Sequence, residues 1–188
     1  MKELETRNLE TSAGLEVRED DDGSHHLVGI VVPWKATYEF KKGVTEEFSP
    51  GVFDKSIAER TGKIPLLEQH STHLHPIGQA VSFEKTPDGL LADFRLSSSQ
   101  RGEEARTLAL EGIVTGFSVG FRPIRDRAEQ RNGKRHIVRV ESRLDHIGLV
   151  TSPAFEQARV LSIRSFDPDD AESVPALAAW RARLDYLR

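Results

Sequence analysis

The chain contains no cysteine. That excludes disulfides, thiolate metal sites and a cysteine nucleophile, and it fits a reducing compartment. Positive charge is not in excess: 26 Lys and Arg stand against 30 Asp and Glu, a net charge of −4. No global basic field therefore gathers nucleic acid. No apolar run approaches the ~20 residues that a bilayer span needs. The opening residues, MKELETRNLE, lack the apolar stretch of a secretory signal. The expectation is a cytoplasmic protein that binds neither nucleic acid nor membrane. Internal repeats are absent too.

What is present is a chain of 188 residues, 37% hydrophobic and 30% charged. That length can bury one medium core. Residues 1–13 are polar and read as an extension. GLEVRED and HHLVGIVVPW flank Asp21-Asp22-Gly23, a hairpin signal, because Asp-Gly supplies the positive φ of a tight turn. Thr37 to Glu47 is charged and reads as a loop. Ser49-Pro50-Gly51 opens a short helix through GVFDKSIAER. KIPLLEQH reads as a strand ending at His70. PIGQAVSFEK and LLADFRLS flank Pro87-Asp88-Gly89, a second hairpin. Ser98 or Ser99 can cap a helix through Leu110, with Gly112 as its stop. IVTGFSVGF is a strand, Asn132-Gly133 a turn, and HIVRVESRLDHIGLVT one long strand or two short ones. ARVLSI is a last strand. Residues 165–175 form an acidic linker, and 176–188 place Leu177, Trp180, Leu184 and Leu187 on one helical face. The fold class is mixed α+β, mainly antiparallel β, with one domain over 14–164.

GFSVGF contains Gly116-x-Ser118-x-Gly120, a spacing that often marks a nucleophilic serine. The α/β-hydrolase elbow that explains it elsewhere needs a strand before the serine and a helix after. Here a helix precedes and a strand continues. Phe117, Val119 and Phe121 should anchor in the core, with Ser118 and Gly120 on the other face. The flanking glycines would leave a groove for an extended peptide. A serine needs a base within hydrogen-bond reach, and seven histidines are available. His25, His26 and His136 read as surface residues. His70 ends an apolar strand, and His146 lies inside one. His70, His73 and His75 also spell H-x2-H-x-H, which with His146 could hold zinc. His70 would not share the face of His73 and His75, so no metal is expected there, nor any other cofactor.

Several segments, in order, resemble the prohead serine proteases of tailed bacteriophages, the HK97-type family, which are similar in fold and mechanism to herpesvirus assemblins. The matching pieces are VGIVVPW, EEFSPGVFDKSI, LLEQHSTHLHPIGQAVSFEKTPDGLLADFRLS, ARTLALEGIVTGFSVGFRP and LDHIGLVTSPAFEQARV, over about residues 27–163. The resemblance implies an assemblin-like β-barrel flanked by a few helices. It implies a serine endopeptidase that acts in the host-cell cytoplasm inside the assembling prohead, cutting the scaffolding region of the capsid protein and itself. The family's histidine falls on His70, its serine on Ser118 and its third member on His146, with Glu141 and Asp145 as alternatives. Backbone N–H groups around Ala154 to Gln157 are the candidate oxyanion donors. The implied partners are the major capsid protein with its scaffolding segment, the portal, and a second copy of the chain in a dimer. A non-catalytic capsid- or scaffold-binding module of the same fold is the alternative.

Overall fold

The computed structural model describes residues 24–155 and 158–165, without the side chains of 161–165. The first strand of the Asp21-Asp22-Gly23 hairpin, the acidic linker and the C-terminal helix lie outside the described residues. In chain order the elements are β1 (His25–Pro33), β2 (Tyr38–Lys41), β3 (Val44–Phe48), α1 (Asp54–Arg60), β4 (Pro65–Glu68), β5 (Gly78–Lys85) and β6 (Gly89–Leu96). They continue with α2 (Gln100–Leu110), β7 (Gly116–Arg131), β8 (Lys134–Val150) and β9 (Val160–Ser165). The nine strands form one mixed sheet in the order β2-β3-β8-β4-β5-β6-β1-β9, with β7 paired to β8.

Local chemistry explains the antiparallel parts. β5 and β6 pair around Pro87-Asp88-Gly89. There the Thr86 hydroxyl oxygen accepts from Asp88 N–H (3.2 Å) and Gly89 N–H (3.0 Å). β7 and β8 form a long hairpin that closes on Asn132 and Gly133, whose φ values of 53° and 74° suit a tight primed turn. β7 thus runs on through the polar segment after Phe121. Helix α2 is capped by Ser99, whose hydroxyl accepts from Gly102 N–H.

β8 organises the rest. β7 covers one edge along its whole length. On the other edge, β3 pairs in parallel with Arg135–Arg139 and β4 with Ile147–Leu149. The gap between them is filled by α1 and the turn before it. Ser142 N–H donates to Val52 O (2.8 Å), and the buried Ser56 hydroxyl accepts from Leu144 N–H (2.9 Å). Arg60 donates to Leu144 O at 2.5 Å. These bonds satisfy backbone groups that a buried strand cannot leave unpaired.

Three expectations are corrected. The segment read as a loop, Thr37 to Glu47, carries β2 and most of β3; both are short and charged, and β3 is held by pairing with β8, a contact remote in sequence. The short helix begins at Asp54, three residues later than read. The sheet is not a closed barrel. Where β9 nears the start of β7, the described strands meet only through the bridge Gly116–Arg159, with Phe117 N–H donating to Ala158 O and Val160 N–H to Thr115 O, each at 2.8 Å.

The core lies beneath this sheet. Leu27, Ile64, Leu66, Ile77, Phe94, Phe117, Leu144 and Ile147 are fully buried. Phe117 packs against Phe94 with ring centroids 5.3 Å apart. Burying such a side chain contributes about 1.5–3 kcal/mol, so Phe117 and Ile147 pin β7 and β8 next to Ser118 and Gly148.

Candidate active site

Strand alternation sends Phe117 inward and Ser118 to the opposite face. In the β7–β8 register Ser118 is opposite Gly148, and Gly120 is opposite His146. Gly148 also pairs with Leu67 of β4 on its other edge. One stretch of β8 therefore lies between the serine strand and the strand that leads to His70.

His70 does not end that strand, as the sequence reading had it. β4 stops at Glu68, and Gln69 and His70 follow with φ of 47° and 59°. Two successive non-glycine residues in the left-handed region are uncommon and cost about 1–3 kcal/mol each. Tertiary bonds hold them. Gln69 N–H donates to Leu149 O (3.0 Å), Ser71 N–H donates to Glu68 O (2.8 Å), and Arg101 of α2 pairs with Glu68. The reversal turns His70 back over β8.

The His70 ring then rests on Gly148. A Cβ at position 148 would lie 2.9–3.0 Å from the ring's Cε1, Nδ1 and Nε2 atoms. The imidazole thus occupies the place of Ser118's cross-strand neighbour, where side chains stand about 4.5–5.5 Å apart. His70 Nδ1 is 2.9 Å from Nε2 of His146, and the two rings meet edge to face. His146 sits on Gly120 in the same way, since a Cβ there would overlap its ring. The glycine spaces expected to form a peptide groove are therefore filled: His146 takes the one at Gly120, and Pro153 packs against Gly116. Neither glycine's role as a seat was read from the sequence, although a glycine inside a strand is itself a sign of close approach.

The two alternative third members are engaged elsewhere. Glu141 faces Arg125 at 3.8 Å, and Asp145 is held by Arg122 at 2.7 Å and Arg143 at 3.1 Å. Strict alternation would put Asp145 on the core face. A bulge prevents this, because the register passes from Gly120–His146 to Phe121–Leu144 and leaves Asp145 unpaired. Of the oxyanion candidates, Glu156 and Gln157 lie outside the described residues, Ala154 is half-buried and Phe155 packs against Phe48.

The other histidines divide differently from expectation. His136, read as a surface residue, is fully buried, with Nδ1 2.8 Å from the Thr45 hydroxyl and Nε2 3.3 Å from Glu47. His26 is buried against Asp93 at 2.8 Å, and His25 is half-buried near Glu103. Both are covered because β1 is interior to the sheet, between β6 and β9. His73 and His75 are exposed. Among the described residues no three His, Asp or Glu side chains converge as a metal site.

Burial lowers the pKa of His70, and the neighbouring His146 lowers it further. Burial also lowers that of His146, against a smaller upward pull from Asp145. At neutral pH His70 is then a neutral imidazole that can accept a proton. Any activity that needs it should keep its acid limb below the ordinary histidine value of about 6.5. Stability shifts in the same window. Below about pH 6.5 the unfolded chain binds protons that the folded histidines resist, so stability present at pH 7 declines on acidification. A kcat/KM profile with parallel thermal melts checks both, and an acid limb above about 6.5 would contradict this assignment.

The sequence profile of the family described as Caudovirus prohead serine protease matches residues 13–171. The prohead protease of Enterobacteria phage HK97 is 29% identical over 119 residues, which cover 63% of this chain and 52% of that protein. The chain thus spans about half the length of this curated relative. Among solved structures, KSHV protease in complex with a hexapeptide phosphonate inhibitor aligns over 81% of this chain and 68% of its own, at 14% identity and a TM-score of 0.49.

Proposed function

Because the chain belongs to the Caudovirus prohead serine protease family, we propose that it is a serine endopeptidase of capsid maturation, with Ser118 as nucleophile, His70 as base and His146 as the group that orients the base. The observation that carries this reading is the His70–His146 contact of 2.9 Å, with the His70 ring seated on the glycine opposite Ser118.

The chemistry follows from that geometry. The Ser118 hydroxyl attacks the scissile carbonyl, and its proton passes to Nε2 of His70. His70 Nδ1–H donates to Nε2 of His146, which fixes the tautomer that leaves the other nitrogen free to accept. The tetrahedral intermediate collapses as His70 returns the proton to the departing amine. Water, deprotonated by the same imidazole, then releases the acyl group. A neutral histidine stabilises the His70 imidazolium less than a carboxylate would, so turnover is slower than with Ser-His-Asp. Slow chemistry suits an enzyme enclosed with its substrate. That substrate is the scaffolding segment of the capsid protein and the chain itself, inside the assembling prohead.

The test is covalent labelling. The full chain, treated with a fluorophosphonate at pH 7.5, should gain one adduct, and peptide mapping should find it on Ser118. Labelling should slow as the pH of the reaction falls through the lowered pKa of His70. An unlabelled Ser118 in a folded chain would favour the binding-module reading.

A further inference from the structure

The bulge at Asp145 gathers charge beside the site. Its carboxylate meets Arg122 Nε at 2.7 Å, Arg143 Nε at 3.1 Å and Arg60 at 3.8 Å. None of these three arginines has another acidic partner among the described residues. Among the described residues, three guanidinium groups against one carboxylate leave two positive charges unbalanced. That surplus is at the surface, because Arg122 is 72% exposed and Arg143 53%.

Its position relative to Ser118 gives it meaning. Arg122 follows Ser118 by four residues on β7, and Ser118, Gly120 and Arg122 alternate with the inward Phe117, Val119 and Phe121. Past the bridge at Gly116, the outer edge of β7 has no strand partner among the described residues. An extended peptide can pair with such an edge. Placed antiparallel, with the attacked carbonyl at Ser118, its N-terminal side runs along β7 toward Arg122. One-to-one pairing puts Arg122 opposite a residue about five positions before the cleaved bond.

We propose that Arg122, with Arg60 and Arg143 behind it, makes this cleft selective for peptides that carry an acidic residue about five positions N-terminal to the cleaved bond. The inference rests on the protease reading. The chain itself supplies a segment of the right chemistry, with Asp167, Asp169, Asp170 and Glu172 close together.

The probe is a labelled peptide with the sequence of residues 163–178, beside a version in which those four acids are Asn or Gln. Binding is read by anisotropy on full-length Ser118→Ala protein, and cleavage by mass spectrometry with the wild type. The acidic peptide should bind about three- to tenfold more tightly at low salt, and the gap should shrink at 0.5 M salt. Arg122→Gln should narrow it, and Arg122→Glu should reverse it. Equal binding of the two peptides, or a preference unchanged by Arg122→Glu, overturns the inference. Cleavage without preference would do so while leaving the protease intact. Preference without cleavage would leave an acidic-peptide site and remove the protease reading.

Discussion

Ser118→Ala should lower peptide cleavage by about 10³-fold or more while leaving the fold in place. The substitution removes one oxygen from a half-buried side chain whose strand is anchored by Phe117, so its effect on stability should stay within about 0.5 kcal/mol. Lost activity cannot then be ascribed to unfolding. The stronger form of the prediction uses pairs. If Ser118 and His70 act as one unit, the double change Ser118→Ala with His70→Ala should cost no more than either single change. Separate structural roles would multiply instead. Intact masses over days at neutral pH supply a second readout: the wild type should trim itself and the Ser118→Ala chain should stay whole. Equal cleavage by both proteins would end the case for Ser118.

Gly148→Ala should be nearly as damaging, although the residue does no chemistry. The added methyl would stand 2.9–3.0 Å from three atoms of the His70 ring. The ring must lift, and it cannot do so and keep its 2.9 Å contact with His146. A misplacement of this order costs about 10² in rate. The loss should fall on kcat, with little change in KM, because Gly148 lies on the side of β7 away from the edge proposed to hold the peptide. Gly148 does not have a positive φ, so alanine fits the strand and Tm should hold or rise slightly. The acid limb of activity should move, since His70 becomes more exposed and loses its neighbour. Full activity in Gly148→Ala would mean that His70 is not the base.

The sequence announced what local chemistry decides. The Pro87-Asp88-Gly89 and Asn132-Gly133 turns, the Ser99 cap and the Gly112 stop all appear where residue type predicts them. It was silent where long-range contacts decide. β2 looks like a loop because its residues are exposed, and β3 is a strand because β8 lies beside it. His136 follows Lys134 and Arg135 in the sequence but is covered where β3 runs beside β8. Ser118, His70 and His146, which the structure brings close together, could be picked out from the motif and the family resemblance. The glycine seats could not, because they depend on which residues face each other across strands. Nor could the bulge that turns Asp145 outward, since a one-residue slip leaves no mark in an alternating pattern.

The long β7–β8 hairpin also carries information about time. Ser118 and His146 are brought together by a single tight turn, whereas His70 joins His146 across 76 residues of chain. Short loops close sooner than long ones, and non-local strand pairings are slow. In a chain finding its structure, Ser118 and His146 should therefore meet before His70 docks through the four-residue β4. If Ser118 is the nucleophile, a nascent molecule should pass through this order with its serine still unarmed. On the protease reading proposed above, neighbouring chains would be spared until this last long-range pairing closes, a delay set by topology.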